Sequence, residues 1–442
     1  MRKVLAIVIC KLAKAIGKRF GHGSSMPGKI ALMICPDILS RIRLPECVIA
    51  VTGSNGKTST VEMIRSILER SGKTVACNTE GSNQIEGAAT LILCNSSITG
   101  VFRKDVLLME TDERYAKYIF KYFTPTYYVI NNLYRDQMTR NGHPEYVLEE
   151  IRKSIGNDTG LVLNADDPLV SSLAVPLEKR AVYFGINDNQ YVIEDCDSLY
   201  DDGYYCPVCH ARMVYDYRQF AHVGNYRCLN CGFKRNDPDY AITSISLEKG
   251  TVTINNRYHL DLAFHSIYNA YSVLAAFAVA SLAGVKEEVI CAALNNYMIQ
   301  NGRIQEFRLG DKKGTLLISK HENTISYNRN LDYVAAYSDA VTLLLIIDDI
   351  SRKYFTSDTS WLWDISFEIL KSENVKKIIV GGKYISDVAV RLENAGIDMD
   401  KVILRRSIET AVSCLRFKSE GDLFVMTCFS DVGKFLKEVE TE

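Results

Sequence analysis

The sequence predicts an α/β protein: a central phosphate-loop domain, a four-cysteine zinc ribbon inserted in it, and a second doubly wound α/β domain. Three observations predict this. A glycine-containing turn joins an apolar run to a helical segment, apolar runs alternate with amphipathic stretches along most of the chain, and two C-x-x-C pairs lie between those regions.

The turn lies in residues 48–60, VIAVTGSNGKTST. A strand that ends in such a turn and feeds a helix, here over 61–70, presents free backbone amides and a helix N-terminus to an anion. The candidate phosphate-binding residues are Gly53, Ser54, Asn55, Gly56, Lys57, Thr58 and Ser59. Lys57 can reach the terminal phosphates of a nucleotide and Thr58 can ligate Mg²⁺. The stretch departs from the pattern G-x-x-x-x-G-K-[ST]: Val51 stands at the first glycine position and Gly53 comes two residues later.

The 442 residues are enough for about three domains. A hydrophobic content of 47% and a charged content of 24% are those of a soluble globular protein, and a net charge of -1 argues against a surface built for nucleic acid. No apolar run is long enough to cross a bilayer. Thirteen scattered cysteines point to a reducing, cytoplasmic compartment.

The N-terminus, MRKVLAIVICKLAKAIGKRFG, has a charged start and an apolar core. Lys11, Lys14, Lys18 and Arg19 interrupt that core and no small-residue cleavage site follows, so an amphipathic helix fits better than a signal peptide. Such a helix packs on the core or touches the inner face of the membrane, which its basic residues permit. A break at Met26-Pro27-Gly28 precedes a second helix, expected over 30–43.

Residues 48–51, 106–109, 127–130 and 161–163 read as buried parallel strands, and ligands in such sheets sit at the carboxyl ends. The polar residues that follow each strand are therefore the ones to inspect. After the second strand come Glu110, Thr111, Asp112 and Glu113, where a carboxylate can complete a Mg²⁺ shell with Thr58. After the third comes NNLYRDQ, and after the fourth Asn164-Ala165-Asp166-Asp167, in which the amide can read an adenine.

Cys206, Cys209, Cys228 and Cys231 form two knuckles with eighteen residues between them, the spacing of a four-thiolate zinc ribbon. Four thiolates close the tetrahedron, so the zinc is expected to be structural, with His210 facing solvent. From His265 the pattern is helical and rich in small residues. Beyond about Phe307, apolar runs at 315–318, 341–347, 377–380 and 423–426 predict the second doubly wound domain. Both tryptophans fall in one segment, Asp358-Thr-Ser-Trp-Leu-Trp-Asp364.

The series TGSNGKTST, METDE, NNLYRDQ and LNADDP resembles the central domain of the Mur ligases, which join carboxylates to amines with ATP. RDQ, the ribbon and the tryptophan segment resemble the MurT branch. The resemblance implies a synthetase subunit that works with a GatD-type glutaminase to amidate the D-glutamate of the peptidoglycan precursor lipid II. It makes Lys57 and Thr58 holders of phosphate and Mg²⁺ and Glu110 a metal ligand. It places Asn164 and Asn269 at the nucleotide and brings Arg303, in the hinge-like GRIQE, to the phosphates. Asp358 first, and Asp364 second, would complete the catalytic triad of the partner.

The divisions expected are an N-terminal helical segment at 1–45, a Mur ligase central domain at 46–305 with the ribbon at about 200–236, and a MurT-type domain at 306–442. Three departures accompany the resemblance: Ser272 where a second asparagine is expected, Ser319-Lys320-His321-Glu322-Asn323 in place of a Lys-Asn-Pro segment, and Asp348-Asp349 followed by 350–353 in place of an Asn-Asp loop. Two alternatives stay open on the sequence alone. One is an amino-acid-adding Mur or folylpolyglutamate-type ligase; the other is a non-catalytic ATP-binding paralogue.

Overall fold

Each apolar run predicted as a strand is a strand, and the runs assemble into two sheets. The computed structural model describes residues 1–17, 24–78, 82–177, 181–196, 200–263, 266–298, 303–350 and 357–441. The chain divides into two compact units: Met1–Leu133, Glu145–Asp197 and Asp202–Ile299 in the first, and Tyr134–Pro144, Ser198–Asp201 and Gln300–Glu442 in the second.

The first unit carries β1 (Cys47–Thr52), β2 (Val75–Cys77), β3 (Val106–Glu110), β4 (Tyr127–Ile130), β5 (Gly160–Asn164), β6 (Val182–Ile186), β7 (Met213–Phe220), β8 (Val223–Cys228), β9 (Tyr240–Ser246), β10 (Thr251–Ile254) and β11 (Tyr258–Asp261). Nine of these form one sheet in the order β11-β10-β9-β6-β5-β4-β1-β3-β2, while β7 and β8 pair separately as an antiparallel hairpin. From β2 to β9 the pairs are parallel. The central strands are buried on both faces, which is why they read as unbroken apolar runs and not as alternating ones.

The chain leaves β1 toward β3 and β2 on one side and returns to β4 and β5 on the other. The reversal opens a crevice at the carboxyl end of β1. The register sets Val51 beside Glu110 and Thr52 beside Ile130, so the residues after β3 and β4 flank the turn that follows β1.

The helix Arg2–Gly17 packs on this unit through Ala6, Ile7 and Cys10, in one apolar cluster with Ala31, Cys35, Ile38, Leu107 and Met109. The second helix differs from its expected bounds. It runs over Met26–Ile34, because Pro27 falls in the first turn, where its missing N–H costs nothing, and it stops before Pro36, whose ring disfavours helical backbone at Cys35. A 3₁₀ turn, Ile38–Arg41, completes the stretch.

The second unit carries β12 (Ile304–Leu309), β13 (Lys312–Ser319), β14 (Val341–Ile346), β15 (Val375–Gly381), β16 (Val402–Arg405), β17 (Asp422–Cys428) and β18 (Glu440–Thr441), in the order β16-β15-β14-β17-β13-β12-β18. β16 through β13 are parallel and β12 turns back antiparallel. Helices Thr324–Ala335, Ile385–Asn394, Ile408–Lys418 and Phe429–Leu436 accompany them, and buried clusters that draw on both faces of the sheet make this unit doubly wound.

Candidate active site and zinc centre

Gly56 adopts a left-handed backbone (φ +79) and the helix Lys57–Arg70 begins at the next residue. A side chain here would be strained, and its Cβ would come within 2.7 Å of the Ser272 hydroxyl oxygen. Helix Ile267–Leu282 thus meets the turn through Ser272, the position at which an asparagine was expected. Asn269 is half-buried one turn earlier.

The asparagine pair after β4 holds the turn from the other side. The Asn132 carbonyl accepts the Ser54 N–H at 3.0 Å, and its side chain accepts the Asn55 N–H at 2.8 Å while donating to the Asn55 carbonyl at 3.1 Å. Asn131 donates to Thr60 Oγ1 at 2.9 Å. The turn is therefore preorganised, with the amino end of a fourteen-residue helix directed into the crevice.

Lys57 is buried. Its Nζ donates to the Gly53 carbonyl and to Glu113 Oε1 at 2.5 Å. Thr58 Oγ1 donates to Glu110 Oε2 at 2.8 Å. A hydroxyl and a carboxylate so close at a phosphate-binding helix end supply hard oxygen ligands, the donor set that suits Mg²⁺. Sequence reasoning placed Glu113 in the acidic cluster without assigning it a partner, and it missed Glu62. Glu62 lies one turn beyond Thr58 on the same helical face, and burial together with the Glu110 charge pushes its carboxyl above the ordinary range. The i, i+4 spacing from Thr58 was the available signal.

Asn164 is buried with both ends of its amide engaged: Nδ2 donates to the Asn131 carbonyl at 2.9 Å and Oδ1 accepts the Asp166 N–H at 3.0 Å. It ties β5 to the asparagine clamp of the phosphate turn.

The four ribbon cysteines converge at the base of the β7–β8 hairpin, all their sulfur atoms within 4.8 Å of one another. Cys206 and Cys231 are 3.7 Å apart and Cys209 and Cys228 3.5 Å. A tetrahedron of zinc–sulfur bonds requires sulfurs about 3.8 Å apart. The soft donor set and its spacing fit zinc, and His210 is exposed beside it. The Val208 N–H and the Asn230 amide point at Cys206 and Cys209 sulfur, at 3.4 and 3.5 Å, which supports thiolate character.

In the second unit the two acids of the tryptophan segment part company. Asp358 is exposed and caps its own turn by accepting the Ser360 N–H at 2.9 Å, whereas Asp364 is buried and pairs with Arg135 at 3.4 Å. Trp361 packs on Tyr327 in the core and Trp363 is exposed. The altered segment 319–323 interlocks with the RDQ motif: Lys320 pairs with Asp136, Asn323 donates to Asp136 at 2.9 Å, and Thr139 donates from its backbone to Glu322 at 3.0 Å. Asp348 and Asp349 are met by Lys434 at 2.6 and 2.7 Å, while 351–353 and Gly302 lie outside the described residues. Arg303 also belongs to this unit, with its guanidinium 5.7 Å from the centre of the Phe429 ring.

Residues 51–210 match the Mur ligase middle domain and residues 321–431 match the MurT ligase C-terminal domain. A Staphylococcus aureus (strain COL) protein, lipid II isoglutaminyl synthase (glutamine-hydrolyzing) subunit MurT, is 29% identical over 95% of this chain and 94% of its own length. The chain is similar to this MurT along nearly its whole length. A second MurT, from Streptococcus pneumoniae (strain ATCC BAA-255 / R6), is 29% identical over 98% of this chain and 96% of its own. Among solved structures, a pseudomurein peptide ligase type C from Methanothermus fervidus has a TM-score of 0.67 at 22% identity, covering 91% of this chain and 80% of that one. MurF from Acinetobacter baumannii has a TM-score of 0.61 at 16% identity, covering 94% and 80%. These give the Mur ligase fold. The region matching the Mur ligase middle domain contains Gly53 to Ser59, Glu110 and Asn164, and the region matching the MurT ligase C-terminal domain contains Asp358 and Asp364.

Proposed function

We propose that this chain is the ATP-dependent synthetase subunit of a glutamine-dependent carbon–nitrogen ligase that converts the D-glutamate α-carboxylate of lipid II to the amide of D-isoglutamine, with a GatD-type glutaminase as its partner. One observation carries the reading: a preorganised phosphate turn with the Thr58–Glu110 oxygen pair stands on a chain whose C-terminal region is of the MurT type.

A carboxylate oxygen is too poor a leaving group for direct amide formation. Attack of that oxygen on the γ-phosphorus of ATP breaks the bond to the ADP oxygen and leaves an acyl phosphate. Ammonia then adds to the carbonyl carbon, phosphate departs with the former carboxylate oxygen, and the nitrogen loses a proton. Lys57 and the backbone amides of residues 53–59 hold the phosphates, so this part of catalysis is positioning and charge stabilisation. Mg²⁺, when bound by Thr58 and Glu110, neutralises charge on the phosphoryl oxygens. Asn164 and Asn269 support the nucleotide site, and Arg303 contributes a cation to the phosphates.

Ammonia is supplied in trans. The exposed acid Asp358 is the first residue assigned to the partner's triad and the buried Asp364 the second. The four ribbon thiolates hold a structural zinc. The test is lipid II amidation with glutamine, ATP and Mg²⁺, followed by mass, with and without a GatD-type glutaminase. Amidation only with both subunits supports the reading; ATP binding without turnover in either case points to a non-catalytic paralogue.

A further inference from the structure

The helix Arg2–Gly17 has two apolar faces, and packing uses only one. Ala6, Ile7 and Cys10 are buried against the first unit. On the opposite side Val4, Leu5, Val8, Leu12 and Ile16 form a stripe along the whole helix, with Leu12 58% and Ile16 61% exposed. At 100° per residue these five side chains fall within one half of the helix circumference, with no polar residue among them but the flanking cations. The adjoining helix Met26–Ile34 exposes Met26, Lys29 and Met33 at the same i, i+3, i+7 spacing.

The charge pattern around this surface decides its partner. The first acidic residue of the chain is Asp37; before it stand Arg2, Lys3, Lys11, Lys14, Lys18, Arg19 and Lys29. Of these cations Arg2 and Lys29 are exposed on the two helices, and neither helix carries an acidic residue; an apolar stripe in that setting fits the interface of an anionic bilayer, where apolar side chains enter the acyl boundary and cations meet the headgroups. A second copy fits poorly, because a two-fold contact through this face would set the same cations against each other. No helix among the described residues is long and apolar enough to cross a membrane, so this one would lie in the surface plane.

We propose that the outer face of helix Arg2–Gly17 docks the protein on an anionic membrane surface. The choice of a membrane rests in part on the lipid-linked substrate of the proposed function, since a docked synthetase searches for lipid II in two dimensions. The face itself stands on the exposure pattern and the charge.

The experiment is co-sedimentation of the full chain, with its glutaminase partner, on vesicles containing phosphatidylglycerol or phosphatidylcholine alone. The wild type is expected to bind the anionic vesicles, more weakly as salt rises, and the double variant L12E/I16E to bind about tenfold or more weakly. The variant should keep the melting temperature and the soluble ATP hydrolysis of the wild type, since neither side chain is buried. A second variant, R2E/K29E, should lose the preference for anionic vesicles. Wild-type protein that ignores both vesicle types, or L12E/I16E that binds as well as wild type, overturns the proposal. So does a result in which L12E/I16E abolishes self-association or glutaminase binding in place of vesicle binding. Vesicle binding is read without ATP or glutamine, so a chain that binds vesicles but does not amidate contradicts the functional reading alone.

Discussion

Arg235 Nε donates to Asp166 Oδ1 at 2.6 Å, and this buried pair joins the chain just beyond the second cysteine knuckle to the loop that follows β5. The other oxygen of Asp166 accepts from the Tyr271 hydroxyl at 2.5 Å and the Ile186 N–H at 2.7 Å. Two further bonds run from the β7–β8 hairpin to the same loop: the Gly224 N–H to the Asp166 carbonyl at 2.8 Å and the Tyr226 hydroxyl to the Ala165 carbonyl at 3.0 Å. Asp166 is next but one to Asn164, which reaches the clamp of the phosphate turn. The ribbon is thereby connected to the nucleotide site through three hydrogen-bonded links.

Replacing Arg235 with alanine leaves the Asp166 carboxylate buried with its cation gone. The cost is about 3–5 kcal/mol, as for other buried pairs that lose one partner. Arg235→Ala is expected to lower the melting temperature by several degrees and to raise the KM for ATP more than it lowers kcat. Thermal unfolding and ATP-dependence curves check both.

Zinc removal acts by the same route. Cys206→Ser is expected to lose bound zinc, measured by elemental analysis, and to lower stability, because a metal on the four thiolates would hold the hairpin that contacts the 164–166 loop. A soluble, well-folded and active protein without zinc would count against a structural metal here.

Lys57→Ala removes the buried cation proposed to hold the phosphates and leaves Glu113 without it. ATP hydrolysis and amidation are expected to fall by at least about a hundredfold, with circular dichroism unchanged. Glu110→Ala acts on the metal instead. It should raise the Mg²⁺ concentration needed for half-maximal activity by about tenfold, a loss that added Mg²⁺ partly restores.

Asp358 and Asp364 are expected to separate cleanly. On the proposed function, Asp358→Asn should abolish glutamine-dependent amidation while leaving amidation from added ammonium salts, because the exposed side chain is the one assigned to the partner. Asp364→Asn should destabilise the second unit by breaking the pair with Arg135 and affect both nitrogen sources alike. Parallel assays with glutamine and ammonium chloride distinguish the two.

Much of this was legible in the sequence because its chemistry is local. The strands at 48–51 and 106–109 are unbroken apolar runs, so their polar successors had to stand at one sheet edge, and the four cysteines announce their own geometry. What stayed hidden depends on contacts between distant segments. Nothing local says that Lys57 pairs with Glu113, that Ser272 lies against Gly56, or that 319–323 interlocks with Asp136. Nor does anything local say that Asp364 is buried against Arg135, more than two hundred residues away. The helix at 26–34 was misplaced because Pro27 was read as a breaker, although a proline in the first turn starts a helix readily.

The central claim is that ATP activates the D-glutamate carboxylate in this chain. It is tested most directly with lipid II carrying ¹⁸O at both oxygens of that carboxylate, incubated with ATP, Mg²⁺, glutamine and both subunits, followed by mass analysis of the phosphate released. The account predicts one ¹⁸O atom in each phosphate formed during amidation and none with Lys57→Ala. Amidation that releases only unlabelled phosphate would contradict it.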